Sequence, residues 1–308
     1  MEIRVLRYFL AVAREQSISG AAQALHLSQP TLSRQLMDLE DELGKQLMIR
    51  GTRRLTLTEE GVLLRKRAEE ILDLVDKTEA EIKAADDTIS GDVLIGAGET
   101  DAMRLIAKVA KRLSDEYPDI HTHVFSGNAE EVTEKLDKGL IDFGLLIEPV
   151  SAAKYESIRL PATDTWGALM RKDSPLAEKE FVEIEDLYGL PLICSKQVYS
   201  NPKEFSRLFK VDVDKLNIIS TYNLIFNASI MVEVGLGYAL CLDKLIKTTD
   251  DGALCFRPIY PSLEVKLDVV WKKHQVFSKA SELFLDRLRE KYGGDKAVNK
   301  ITSTRAEP

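Results

Sequence analysis

Five neighbouring side chains, Gln29, Thr31, Ser33, Arg34 and Gln35, are the ones in this chain best suited to a specific chemistry. All donate or accept hydrogen bonds, and none is acidic. Arg and Gln make bidentate contacts to the edges of guanine and adenine, while Ser and Thr serve bases or phosphates. The chemistry on offer is non-covalent reading of a nucleic-acid duplex. Arg50, Arg53 and Arg54 form a second cationic set a little further along, of a kind that reaches phosphates or a narrow minor groove. The bland alternative is a helical hairpin and a turn whose polar faces are merely solvated, because helix pairs of this sort are common.

The first group needs a helix N-terminus to present it. Leu32, Leu36, Leu39 and Leu43 recur at spacings of four, three and four, which is one face of a helix expected over residues 29–43. Ser28 is a good N-cap, and Pro30 falls in the first turn, where no intrahelical N–H is needed. Residues 20–27, GAAQALHL, supply a preceding short helix. Its Ala21, Ala22 and Ala24 permit close packing, and Leu25 anchors it. Residues 2–15 form an amphipathic covering helix with Ile3, Leu6, Phe9, Leu10 and Ala13 inward. Arg and Glu return within it at helical spacing, so it does not read as a signal peptide. After Gly44, LMIR and RLTLT are short β runs joined by GTR, a wing with Arg50, Arg53 and Arg54 clustered at its tip. Together these elements make a winged helix-turn-helix whose second helix enters the major groove.

Ala21, Leu25, Ser28, Gln29, Pro30, Leu32, Ser33, Leu36, Leu39, Glu40, Leu43, Gly44, Leu47 and Arg50 together resemble the signature of LysR-type transcriptional regulators. Met48 departs from it, since the family usually places Phe there; the swap concerns the core and leaves DNA reading unaltered. The resemblance implies sequence-specific binding of double-stranded DNA. The candidate DNA contacts are Ser28, Gln29, Thr31, Ser33, Arg34, Arg50, Arg53 and Arg54.

A net charge of −8 taken over the whole chain opposes that reading, but residues 1–67 carry 11 Lys/Arg against 8 Asp/Glu, leaving the remainder at −11. The mildly basic part is the part with the helix-turn-helix. The length of 308 residues suits two or three domains, and 44% hydrophobic residues suffice for their cores. No apolar run is long enough for a transmembrane helix, so no membrane partner is expected. Three cysteines give neither a disulfide framework nor a metal cluster, which points to a reducing cytoplasm.

Thr58 caps a long helix with Glu59 and Glu60 in its first turn, running to about Asp87. Leu64, Ala68, Ile71, Val75, Thr78, Ile82 and Ala85 alternate in steps of four and three, the period of a coiled coil. The segment 59–89 is therefore expected to dimerise, following a DNA-binding domain at 1–58. Two heads on one dimer meet two half-sites of a roughly palindromic operator. The family resemblance further implies a tetramer.

From residue 90 to about 295 strands and helices alternate, which implies parallel sheets with covering helices, an α/β fold. Strands are expected at 92–97, 121–125, 142–147, 165–170, 191–194, 217–221 and 266–271, with helices at 101–116, 128–138, 203–209, 223–234 and 277–291. Crossings near 161–165 and 262–268 form a hinge between lobe I (90–162 and 268–295) and lobe II (163–267). Two lobes on a hinge leave a cleft, as in periplasmic binding proteins. The string GAGET…EYPDI…GLIDFGLL resembles the LysR-type effector domain. Residues 296–308 are expected to form a flexible tail.

Ligands in such sheets meet the carboxyl ends of strands and helix N-termini. Candidate effector contacts are Glu99, Thr100, Ser126, Asn128, Glu148, Ser195, Gln197 and Asn223; Thr100 is where the family commonly offers a hydroxyl. Glu99 and Asp101 disfavour a simple dianion, unless they only support the N-terminus of the helix that follows. Two rival readings remain. Cys194, Cys241 and Cys255 would suit a thiol-based redox sensor, although their apolar contexts favour burial. Alternatively, an α/β ligand-binding or catalytic protein could use its N-terminal helices for assembly alone. No catalytic motif, metal-ligand spacing or cofactor fingerprint is present, so no enzyme activity, metal or cofactor is expected.

Overall fold

The computed structural model describes residues 1–293 except 52–53, 84–88, 201, 210 and 212, and it leaves undescribed the side chains of Arg50, Lys83, Gln197, Val198, Glu204 and Val213. The chain falls into two compact units, residues 1–84 and 85–308.

The first unit contains α1 (Ile3–Glu15), α2 (Ile18–Ala24), α3 (Gln29–Leu43), β1 (Met48–Arg50), β2 (Leu55–Leu57) and α4 (Glu59–Lys83). Helix α2 starts and stops earlier than the expected 20–27, because the Ser17 hydroxyl caps it by accepting from the Gly20 N–H at 3.1 Å. Helix α3 spans the expected residues. The Ser28 hydroxyl accepts from the Thr31 N–H at 3.3 Å, and Gly44, at φ 63°, closes the helix in the left-handed region that favours glycine. Leu32, Leu36 and Leu39 are buried in one core with Phe9, Val12 and Ala21, while Leu43 leaves that core and is exposed. Met48 is buried in the same core. Glu40 Oε1 accepts from the Leu47 N–H at 2.6 Å and the Met48 N–H at 3.1 Å, which ties α3 to the first wing strand.

Helix α4 begins hard against the wing. A Cβ on Gly61 would lie 2.1 Å from the Leu47 carbonyl oxygen, so only glycine permits this approach. The apolar stripe of α4 is divided. Ala68 and Leu72 are buried against Leu6 of α1, with Leu64 and Ile71 partly covered, whereas Ile82 is 78% exposed. The first half of the 3.5-residue stripe thus serves packing within the chain, and Leu72 joins it from outside the expected set. Ala85 and the expected helix end near Asp87 lie outside the described residues.

The second unit runs β3 (Gly91–Ala97), α5 (Met103–Glu116), β4 (Ile120–Ser126), α6 (Ala129–Asp137), β5 (Phe143–Ile147), β6 (Tyr155–Arg171), β7 (Val182–Glu183), β8 (Pro191–Ser195), α7 (Lys196–Ser200), α8 (Pro202–Phe209), β9 (Asn217–Tyr222), α9 (Ile225–Glu233), β10 (Tyr238–Leu242), β11 (Leu254–Tyr260), β12 (Glu264–Lys272) and α10 (Lys279–Tyr292). The strand order is β4-β3-β5-β12-β6-β10-β8-β9. The pairs β3–β4, β3–β5 and β8–β9 are parallel, as alternation of strand and helix demands. Helices α5 and α10 bury one sheet face, with Ile106, Phe143 and Phe284 at the centre of the core, and α6 covers the other through Val132 and Leu136.

Two strands were longer than their local pattern suggests. The expected strand at 165–170 is the end of the 17-residue β6, and 266–271 lies inside β12. These two strands pair antiparallel with each other, from Glu264↔Thr165 to Lys272↔Tyr155, with a bulge between Lys266 and Asp268. The crossing between the two halves is therefore one continuous ribbon, bent at its bulge. Its Arg159 is ion-paired with both Asp268 and Glu148.

Candidate functional site

In the first unit, Ser28, Gln29, Thr31 and Arg34 are exposed at the start of α3, directly above the buried Leu32 and Leu36, and Ser33 is half-buried. The same helix therefore supplies an apolar anchor and a hydrated polar edge. The Ser28 and Thr31 hydroxyls also meet each other at 2.7 Å, so Ser28 is partly committed to holding the helix start. Strands β1 and β2 pair antiparallel in the register Met48↔Leu57 and Arg50↔Leu55, and the Gly51 N–H donates to the Arg54 carbonyl at 3.1 Å. Arg54 is exposed. The Arg50 side chain and all of Arg53 lie outside the described residues.

In the second unit a cleft of about 520 Å³ opens at the carboxyl ends of the strands. Glu99, Thr100, Asn128, Glu148, Ser195 and Asn223 line it together. Ser126 does not: it ends β4 as an exposed residue, and the chain reaches the cleft with Gly127 and Asn128. The Gln197 side chain lies outside the described residues.

Several of these groups are already engaged. The Thr100 hydroxyl donates to the carboxylate of Asp164 on β6, and it accepts from the Ala102 N–H at 3.1 Å. Thr100 is 8% exposed and Asp164 1%. Burial pushes the Asp164 carboxyl above its ordinary range, against the Thr100 hydrogen bond and the Lys244 ammonium 3.9 Å away. Glu99 accepts from the Ile225 N–H at the start of α9, and burial pushes its carboxyl up as well. Asn128 and Glu131 form a reciprocal capping box on α6, with both hydrogen bonds at 2.9 Å. Glu148 is held by Arg159.

Most of the wall carries no signal in the sequence. Leu145, Trp166, Phe205, Tyr222, Leu242, Val265 and Leu267 line the cleft, as do Lys196 and Arg207. No local pattern marks these residues, since β6, α8 and β12 bring them in from separate elements. The Trp166 indole N–H is buried without an acceptor among the described residues. Cys194, Cys241 and Cys255 are all buried, and burial pushes the first two thiols up to about 12. A thiol held protonated is a poor nucleophile for peroxide.

Residues 86–293 match the family described as LysR substrate binding domain, and residues 3–62 match the bacterial regulatory helix-turn-helix protein, lysR family. Among curated proteins the chain is similar to the uncharacterized HTH-type transcriptional regulator YfeR of Shigella flexneri, at 27% identity over 94% of this chain and 93% of that one. It is also similar to the Hca operon transcriptional activator HcaR of Escherichia coli K12, at 28% identity over 90% and 93%. Among solved structures, full-length CbnR complexed with its target DNA shares the fold at a TM-score of 0.73 and 21% identity, over 94% of this chain and 99% of that one.

Proposed function

The chain belongs to the LysR family of bacterial transcriptional regulators, and from that premise we propose how its parts divide the work. As a family member it is a DNA-binding regulator that carries an effector-binding domain. We assign DNA reading to residues 1–58, dimerisation to 59–89 and effector binding to 90–295, with lobe I at 90–162 and 268–295 and lobe II at 163–267.

In this reading Gln29, Thr31, Ser33 and Arg34 address base edges and nearby phosphates, Ser28 holds the helix start, and Arg50, Arg53 and Arg54 follow the backbone beside the wing. The observation that carries it is the exposed polar start of α3 above Leu32, Leu36 and Leu39. A dimer through α4 would present two such helices to a roughly palindromic operator, and two dimers would form a tetramer. No described helix is long and apolar enough to cross a membrane, and we place the protein in the cytoplasm.

The cleft holds the effector between the lobes and acts by binding, not by turnover. Glu99 meets α9 and Thr100 meets β6, so occupancy of the cleft bears directly on how the two halves close. The β6–β12 ribbon, bent at its bulge, is the hinge.

The test is fluorescence anisotropy with DNA from the promoter region beside the protein's own gene. Wild type should bind with salt-dependent affinity, and the Arg34→Ala, Arg54→Ala double variant should lose it; equal affinity in both would remove the DNA-reading assignment. Thr100→Ala should change the response of that complex to inducer, and an unchanged response would remove Thr100 from the effector site.

A further inference from the structure

We propose that the cleft selects a ligand with an apolar body and a protonated amine, and that Glu99 is the side chain that receives the amine. This rests on reading the cleft as the effector site and adds the chemical class of what enters it.

Two helix starts that would attract an acidic ligand are already taken. A helix N-terminus is a ready anion site because its first N–H groups point outward. At α9 the Ile225 N–H donates to Glu99. At α6 the capping position is filled by Asn128 and Glu131. The cations that line the cleft, Lys196 and Arg207, are exposed and well hydrated, which screens their pull on a carboxylate.

Glu99, by contrast, lacks what a carboxylate needs. It is half-buried, and among the described residues its one hydrogen-bond partner is the uncharged Ile225 N–H, taken by Oε2. Glu148, the other acid of the cleft, is ion-paired with Arg159, which it shares with Asp268, and Asp101 next to Glu99 is ion-paired with Arg104 at 2.8 Å. Among the described acids that line the pocket, Glu99 is thus the one without an ion pair. A desolvated charge without a counter-ion costs free energy that an incoming cation recovers, and the attraction grows as water is displaced.

The remaining wall sets the body of the ligand. Leu145, Trp166, Phe205, Leu242, Val265 and Leu267 are apolar or aromatic, and about 520 Å³ holds a ring with a short chain. Oε1 of Glu99 would take the ammonium while Oε2 keeps its contact to α9. The ligand would then neutralise the group that spans the cleft.

Isothermal titration calorimetry on the full-length protein tests this with matched pairs: phenethylamine against 3-phenylpropionate, and hexylamine against heptanoate. At least one amine should bind about tenfold or more tightly than its acid partner, and Glu99→Gln, which keeps an acceptor for Ile225, should cost that amine about tenfold or more. Asp101→Asn should change its affinity by less than about twofold, which separates a contact from a general negative potential. The proposal is overturned if the acids bind as well as the amines, if Glu99→Gln leaves amine affinity unchanged, or if neither amine binds. Operator affinity of the wild type, measured in the same buffer, judges the regulator reading separately: absence of DNA binding by wild type would refute that reading without touching the calorimetric result.

Discussion

On α3, Gln29, Thr31 and Arg34 stand in solvent on a helix whose other side is buried. At the cleft, Thr100 is almost wholly buried and bonded to the buried Asp164 behind it, and Glu99 is half-buried on the end of α9. The first surface keeps its polar groups hydrated until a partner arrives, so its binding should depend on charge and salt. The second has lost much of that hydration within the folded chain. Substitutions there should act on stability and titration as well as on binding. A surface poised for a large polyanion and a pocket poised for a small molecule place their desolvation costs at different moments.

The largest effect should come from removing the support of the exposed surface. Leu36 is 1% exposed in the core beneath α3. Leu36→Ala should cost about 2–5 kcal/mol through lost transfer energy and a residual cavity. Hydrogen exchange should quicken in residues 1–62 and stay unchanged in 85–293. Equal loss in both regions would break the distinction between them.

Next comes the polar edge itself. Arg34→Ala leaves the helix intact, since Arg34 is exposed and forms no ion pair among the described residues. It should weaken operator binding by about 1–3 kcal/mol per half-site, read by anisotropy. A base contact predicts lost sequence preference, and a phosphate contact predicts a uniform loss with a shallower salt dependence. A smaller loss follows at the cap. Ser28→Ala removes the acceptor for the Thr31 N–H and should cost about 1 kcal/mol of stability, read by chemical denaturation.

The same contrast explains what the chain made legible. The Leu32–Leu36–Leu39 stripe, Ser28 and Pro30 are local, and α3 formed over the expected residues. The alternation of strand and helix is local too, and it predicted the parallel pairs around β3. The partners of Thr100 and Glu99 are not local. Asp164 lies 64 residues from Thr100 and Ile225 lies 126 from Glu99, so no spacing rule could join them. Leu43 shows the reverse error: it keeps the helical period but stands where no core remains to receive it. The split stripe of α4 is similar, because period alone cannot say whether a seam meets α1 or a second copy.

The smallest predicted effect is the most specific to the cleft. Asp164 is 1% exposed, and burial holds its carboxyl above the ordinary range in the folded state. A carboxyl raised on folding favours the folded state while protonated, and that contribution is lost as pH rises through the folded value. Wild type should therefore lose stability from this group as pH rises above the ordinary carboxylate range. Asp164→Asn removes the titration and keeps an acceptor for the Thr100 hydroxyl. Its melting temperature relative to wild type should climb as pH is raised above the ordinary carboxylate range. The difference between the two proteins is the readout, since Asp137, Asp186 and Glu116, whose carboxyls are lowered, slope the other way in both. A difference that stays flat would mean that Lys244 and Thr100 compensate the buried charge fully, and the cleft would then hold no more unmet polar cost than the surface of α3.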